Sequence, residues 1–65
     1  MERDRLINRL RMSVNGREGT SFSNEDIAHY VGSDTNIDTL GEWVFESEHN
    51  LSSAVTASDI QGLLD

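Results

Sequence analysis

The sequence lacks cysteine, proline and lysine. Without cysteine the chain has no disulfide and no thiolate metal site, so hydrophobic packing or oligomerisation must hold its shape, and a reducing compartment is expected. The longest uninterrupted apolar run, Trp43-Val44-Phe45, is far shorter than the roughly 20 residues that a membrane helix needs. The first residues are too highly charged to form the core of a signal peptide. We therefore expect a soluble, cytoplasmic protein with no membrane partner.

The absence of lysine leaves five arginines as the only cations, and all of them lie in residues 1–17. That segment carries two carboxylates and nets +3, whereas residues 18–65 carry ten carboxylates without a base and net −10, which gives −7 overall. An acidic surface without internal counter-charges repels itself until salt or a basic partner neutralises it. We expect a single domain over residues 1–65, of marginal stability, because so short a chain buries only about 60% of its surface on folding.

Apolar residues at helical spacing predict a first helix over residues 2–14, ended by the turn-forming residues 15–19. Its apolar stripe consists of Leu6, Ile7, Leu10 and Val14. Ser23 is the expected N-cap of a second helix over residues 24–31, because carboxylates follow it in the first turn. Gly32 should end that helix.

A third helix is predicted over residues 36–48. Asp34 or Thr35 would cap its start, with Asp38 as the capping-box partner of Thr35. Trp43 lies at the edge of the apolar stripe, and the pattern leaves open whether its side chain is buried or exposed. The inward face is expected to hold Ile37, Leu40, Val44 and, as a further candidate, Phe45.

Ser58 and Asp59 are the expected cap of a final short helix. Residues 52–57 either extend this helix backwards or form a brief extended link, since several of them are weak helix formers. These elements predict an all-α fold, a bundle of three to four short helices with a helix-turn-helix-like central pair. The predicted core is the set of inward-facing apolar residues Leu6, Ile7, Leu10, Val14, Ile27, Val31, Ile37, Leu40, Val44, Ile60 and Leu63.

The third helix carries carboxylates at i, i+4 and i+8, namely Asp38, Glu42 and Glu46. Such pairs without a basic neighbour destabilise a helix by a few tenths of a kcal/mol each. Because of this penalty, we favour the interpretation that the carboxylates take part in an interaction over the interpretation that they form only a solvated face. We expect a small, non-enzymatic regulatory protein that binds a basic surface of a protein partner, itself a candidate nucleic-acid-binding protein, through this row and Trp43.

Residues 24–44 resemble a helix-turn-helix in spacing, with Ala28 in the first helix and Gly32 in the turn. The helix in the recognition position is acidic, which opposes entry into a phosphate-lined groove. An alternative hypothesis is therefore a nucleic-acid-binding regulator whose phosphate contacts come from the first helix. Its contact residues would be Arg3, Arg5, Arg9 and Arg11.

Two further hypotheses concern assembly. A homodimer would pair the basic first helix with the acidic third helix of a second copy, and a structural subunit would bury the edge that contains Trp43 and Phe45. His29 shares a helix face with Glu25, but neither it nor His49 has a third ligand of matching spacing, so neither a metal nor a cofactor is expected. The chain has no phosphate loop and is too small to enclose a pocket from which water is excluded, so we expect no enzymatic activity.

Overall fold

The protein, seen in a computed structural model that describes residues 1–65, consists of four α-helices without a strand, which confirms the predicted all-α class. The helices are α1 (Glu2–Glu18), α2 (Asn24–Val31), α3 (Ile37–Glu48) and α4 (Ala57–Leu64). Helix α3 packs mainly on α1, while α2 contacts both α1 and α4. Residues 32–36 connect α2 to α3.

Helix α1 continues one turn beyond its predicted end at Val14. The prediction is wrong because Asn15 and Gly16, which favour a turn, lie within the helix. The side chain of Asn15 instead accepts hydrogen bonds from the Thr20 hydroxyl at 2.7 Å and the Phe22 amide at 3.0 Å. The helix ends at Gly19, whose φ of 68° lies in the left-handed region that glycine adopts without strain.

Helix α2 begins and ends where the sequence predicts. Ser23 accepts a hydrogen bond from the Asp26 amide, and the Asp26 carboxylate accepts one from the Ser23 amide, which completes a capping box. Such a cap stabilises a helix by about 1 kcal/mol. Gly32 follows the helix with a φ of 74°.

The cap of α3 is Asn36, not Asp34 or Thr35, so the predicted pairing of Thr35 with Asp38 was wrong. The Asn36 side chain accepts from the Thr39 amide at 2.8 Å. Thr35 is engaged elsewhere, because its hydroxyl donates to the carbonyl of Val31 at 2.5 Å.

The cap of α4 is Thr56, two residues before the predicted Ser58. Thr56 and Asp59 form a second capping box, with both hydrogen bonds at 3.1 Å. The earlier start adds Ala57 and Ser58 to the helix.

The buried apolar core contains ten residues from all four helices and the α3–α4 connection: Leu6, Ile7, Leu10, Val14, Ile27, Val31, Leu40, Val44, Val55 and Ile60. Two predicted members are wrong, since Ile37 is 39% and Leu63 is 50% exposed. The further candidate Phe45 is also exposed. Val55, which the prediction left out, is buried in the connection between α3 and α4.

The orientation of each helix explains these differences. The buried row of α3 is Leu40, Val44 and Ser47, at i, i+4 and i+7, so Phe45, the residue after Val44, is rotated towards solvent. Ile37 lies on the side of the buried row but is the first residue of α3, where its side chain is partly exposed. In α4 the fully buried residue is Ile60, and Leu63 lies to its side. A serine therefore occupies an inward position that a purely hydrophobic pattern cannot identify.

Arg17, near the end of α1, connects three elements. Its guanidinium donates to the carbonyl of Ser47 in α3 at 3.1 Å and to the carbonyl of Val55 before α4. Its neighbour Glu18 accepts from the amide of Ala57, the first residue of α4, at 2.6 Å. Arg17 and Glu18 therefore hold the C-terminus of α3 and the N-terminus of α4 against the end of α1.

Candidate functional site

The solvent face of α3 carries the three predicted carboxylates, Asp38, Glu42 and Glu46, which we call the acidic row. Asp38 and Glu42 are exposed and Glu46 is partly exposed. None of the three forms an ion pair, because the two salt bridges of the protein use Glu48 and Glu18. The row extends over two helical turns, about 12 Å, and its charge is not compensated within the chain.

A second row lies directly beside the acidic row, one residue earlier at each turn. It consists of Ile37, Gly41 and Phe45, which we call the apolar row. Ile37 is 39% and Phe45 is 55% exposed, although both are large hydrophobic residues. Sequence reasoning missed this row because it assigned Ile37 and Phe45 to the core. Their i, i+8 spacing runs parallel to that of the carboxylates, but spacing alone does not show whether these side chains face solvent or the core.

Two details characterise the apolar row. The ring of Phe45 stacks on the ring of His49 with centroids 4.2 Å apart, and Nδ1 of His49 lies 2.9 Å from the Phe45 carbonyl. At Gly41, an added Cβ atom would meet nothing within 4 Å. The fold therefore does not require glycine there, and the space outside the backbone between Ile37 and Phe45 is open.

Trp43, the fourth predicted residue of the site, lies on the flank of α3 and not in either row. It is partly buried against the core, and its ring contacts Tyr30 of α2 with centroids 5.7 Å apart and a tilt of 48°. Burial raises the pKa of the Tyr30 phenol, and the charge of Asp59 raises it further. The structure thus brings Asp38, Glu42 and Glu46 together, with Trp43 at their border.

Most of the predicted phosphate-contacting arginines are engaged within the protein. Arg3 donates to the carbonyls of Gly32 and Thr35, the latter at 2.6 Å, and so fixes the α2–α3 connection. Arg11 donates to Oδ1 of Asn24 at 2.6 Å, which links α1 to the start of α2.

Arg9 forms a bidentate pair with Glu48, with hydrogen bonds of 2.8 Å and 3.1 Å. The hydrogen bond from Arg9 holds the pKa of Glu48 below its ordinary value, and the same hydrogen bond raises the pKa of Arg9. Only Arg5 makes neither a hydrogen bond nor an ion pair through its side chain. The pattern of occupied guanidinium groups could not be predicted, because several of their acceptors are backbone carbonyls about 30 residues away in the sequence.

The one pocket is an open depression between α1 and α2 with a volume of about 230 Å³. It is lined by Asp4, Ile7, Asn24, Glu25 and Ala28. No three His, Asp or Glu side chains are grouped so that they could hold a metal ion. None of the four helices combines the length and apolar character required to cross a membrane.

The chain matches no known protein family, no curated protein and no solved structure. Its function is therefore inferred from its own geometry and charge.

Proposed function

We propose that this protein is a small non-enzymatic regulator that binds a basic surface of a protein partner through the solvent face of α3. The observation that carries the proposal is the acidic row of Asp38, Glu42 and Glu46, which has no counter-charge within the chain. Carboxylates one turn apart repel each other by about 0.2–0.5 kcal/mol per pair. A basic partner would relieve this repulsion.

The distribution of cations supports the same proposal. The guanidinium groups of Arg3, Arg9 and Arg17 are directed to carbonyls or carboxylates away from the acidic row. A basic surface approaching α3 therefore meets an uncompensated negative potential, which accelerates encounter and selects for complementary charge. The alternative, phosphate binding through α1, gains no support, because Arg5 is the only arginine without an acceptor in the protein.

The experiment compares wild type with the variant Asp38→Asn, Glu42→Gln, Glu46→Gln. Both chains are used to capture proteins from nuclease-treated lysate of the source cells, and each retained protein is then purified and its affinity measured by calorimetry. The proposal predicts a basic partner whose affinity falls at least about tenfold in the variant, a loss of 1.4 kcal/mol, and falls with salt for the wild type.

A matched control removes the same charge from other parts of the surface. The variant Glu25→Gln, Asp34→Asn, Asp65→Asn also changes the net charge from −7 to −4 but leaves α3 intact. It should bind the partner within about a factor of two of the wild type, because exposed charges separated by more than a Debye length are largely screened. Equal losses in both variants would show that net charge alone determines binding and would contradict the proposal.

A further inference from the structure

The apolar row and the acidic row together define the shape of the partner more closely than charge does. We propose that the solvent face of α3 binds a basic amphipathic helix, laid along α3 with its apolar side on Ile37, Gly41 and Phe45 and its cations over the acidic row. This inference rests on the proposed function and specifies the partner surface for that same site.

The spacing of the two rows supports a helical occupant. Each row repeats at i, i+4 and i+8, so apolar and acidic groups recur together once per turn along about 12 Å. A second helix presents its own side chains with the same period, and amphipathic helices bind hydrophobic surfaces through such i, i+4 anchors. Two turns of a partner helix would therefore meet both rows at once.

Phe45 supplies the apolar anchor for that helix. Its side chain is 55% exposed, and its ring stacks on His49. A partly supported aromatic ring on the surface has few rotamers to lose on binding, and aromatic residues are frequent among the residues that dominate interface energies.

Gly41 permits close approach at the middle of the face. Glycine within a helix is less favourable than alanine, and nothing in the fold would contact a Cβ at this position. The backbone of α3 at Gly41 is thus open to a side chain of the partner helix.

Charge complementarity identifies the partner as basic and not as a second copy of this chain. Two α3 faces placed against each other would bring two acidic rows together. The first helix of another copy is a poor substitute, because its exposed N-terminal part contains Glu2, Asp4 and only one unengaged guanidinium, Arg5. A helix rich in lysine or arginine has the required charge throughout its length.

The test uses two synthetic peptides as probes, each about 16 residues long so that it spans four helical turns. Both contain the same numbers of leucine, lysine and alanine. In the first, the leucines follow one helical face with lysines along its border, whereas in the second they are distributed around the helix. Affinity is measured by fluorescence anisotropy of the labelled peptide.

The amphipathic peptide should bind at least about tenfold more tightly than its isomer, because only it can place leucines and lysines on the two rows together. Phe45→Ala should weaken its binding about tenfold, as expected for an aromatic anchor. Gly41→Leu should also weaken it, because the added side chain holds the partner helix away from the backbone of α3, although the substitution adds exposed apolar surface. Met12→Ala, on the outer side of α1, should leave the affinity unchanged.

Other results would overturn the inference in distinguishable ways. If both peptides bind equally and respond only to Asp38→Asn, Glu42→Gln, Glu46→Gln, the helical partner is wrong and the charge-based function stands. If that triple variant binds the peptides as the wild type does, the proposed function fails as well. If sedimentation shows a dimer that Phe45→Ala dissociates, the occupant of the face is a second copy.

Discussion

Ser47 is the one buried polar residue of the protein, and its side chain provides a sharp test of the packing. It is 4% exposed, and its hydroxyl has no hydrogen-bond partner in the protein. An unsatisfied buried polar group destabilises a fold by about 1–3 kcal/mol. Ser47→Ala should therefore raise the free energy of unfolding by about 1 kcal/mol, measured by urea denaturation with the fluorescence of the single tryptophan, Trp43.

Ser58→Ala provides the control, because Ser58 also lies in a helix but is exposed. Its effect should remain within about 0.5 kcal/mol, as for most surface substitutions. If Ser47→Ala is neutral or destabilising while Ser58→Ala behaves as expected, the buried hydroxyl has a partner and this description of the core is wrong.

Tyr30 gives a second prediction at the scale of one residue. The chain has one tyrosine and neither lysine nor cysteine, so Tyr30 is the only side chain expected to titrate between about pH 9 and 12. Because burial and Asp59 raise its pKa above the ordinary 10.0, the folded state keeps the phenolic proton longer than the unfolded state. The resulting stability is present below pH 10 and is lost as the pH rises through the raised value.

Absorbance of the ionised phenol should therefore show a midpoint above 10 in the folded protein and a lower one in urea. The unfolding free energy of the wild type should decline across that interval, whereas that of Tyr30→Phe should change much less. Coincident midpoints in the folded and unfolded states would show that the ring is not desolvated against α3.

At the scale of the elements, the connection between α3 and α4 depends on Arg17. Its two carbonyl acceptors, on Ser47 and Val55, require the fork of a guanidinium. Arg17→Lys keeps the charge but replaces Nη1 and Nη2, which bond one carbonyl each, by a single nitrogen, so it should lower the free energy of unfolding by about 2 kcal/mol. Amide hydrogen exchange should show that protection is lost first in α4.

Arg5→Lys serves as the comparison because Arg5 makes no side-chain contact of this kind. Its effect should remain within about 0.5 kcal/mol. Equal stabilities of the two variants would mean that Arg17 does not hold α4 in place.

Helical periodicity and the chemistry of capping residues made most of the elements predictable. Ile27 and Val31, behind a serine cap, were sufficient to locate α2, because local hydrogen bonds alone determine its start. The caps of α3 and α4 were misassigned, since several residues that can cap a helix are adjacent in each connection. The choice of Asn36 and Thr56 depends on the direction in which the chain leaves the previous helix, and a local pattern carries no such information.

Of the two rows that form the candidate site, the sequence predicts only the acidic one. The acidic row could be found because carboxylates at i, i+4 and i+8 share a face whatever the orientation of the helix. The apolar row could not, because the exposure of Phe45 depends on which side of α3 packs on α1. Ser47 is buried and Phe45 is exposed, whereas hydrophobicity alone predicts a buried Phe45 and an exposed Ser47.

At the scale of the whole molecule, the protein carries a net charge of −7 and forms only two ion pairs. Its longest dimension, 26 Å, is shorter than the Debye length of about 30 Å at 10 mM salt, so all carboxylates repel one another there. We expect the thermal midpoint to rise when sodium chloride is increased from about 10 mM to 150 mM, where that length is about 8 Å. Calorimetry at constant pH measures this rise.

The variant Asp38→Asn, Glu42→Gln, Glu46→Gln should show a smaller increase, because part of the screened repulsion has been removed. A thermal midpoint that is independent of salt in the wild type would show that the negative surface is already neutralised within the fold. The acidic row would then offer a partner much less electrostatic free energy.

The central claim is that the two rows on α3 form the binding face, and mapping the contact by NMR tests it most directly. The ¹⁵N-labelled protein is titrated with the amphipathic lysine–leucine peptide, and the shift of each backbone amide is recorded. We predict that the largest shifts lie in residues 37–49, centred on Gly41, Glu42 and Phe45. Shifts centred on the carboxylates of α2 and α4, or on α1, would contradict the claim.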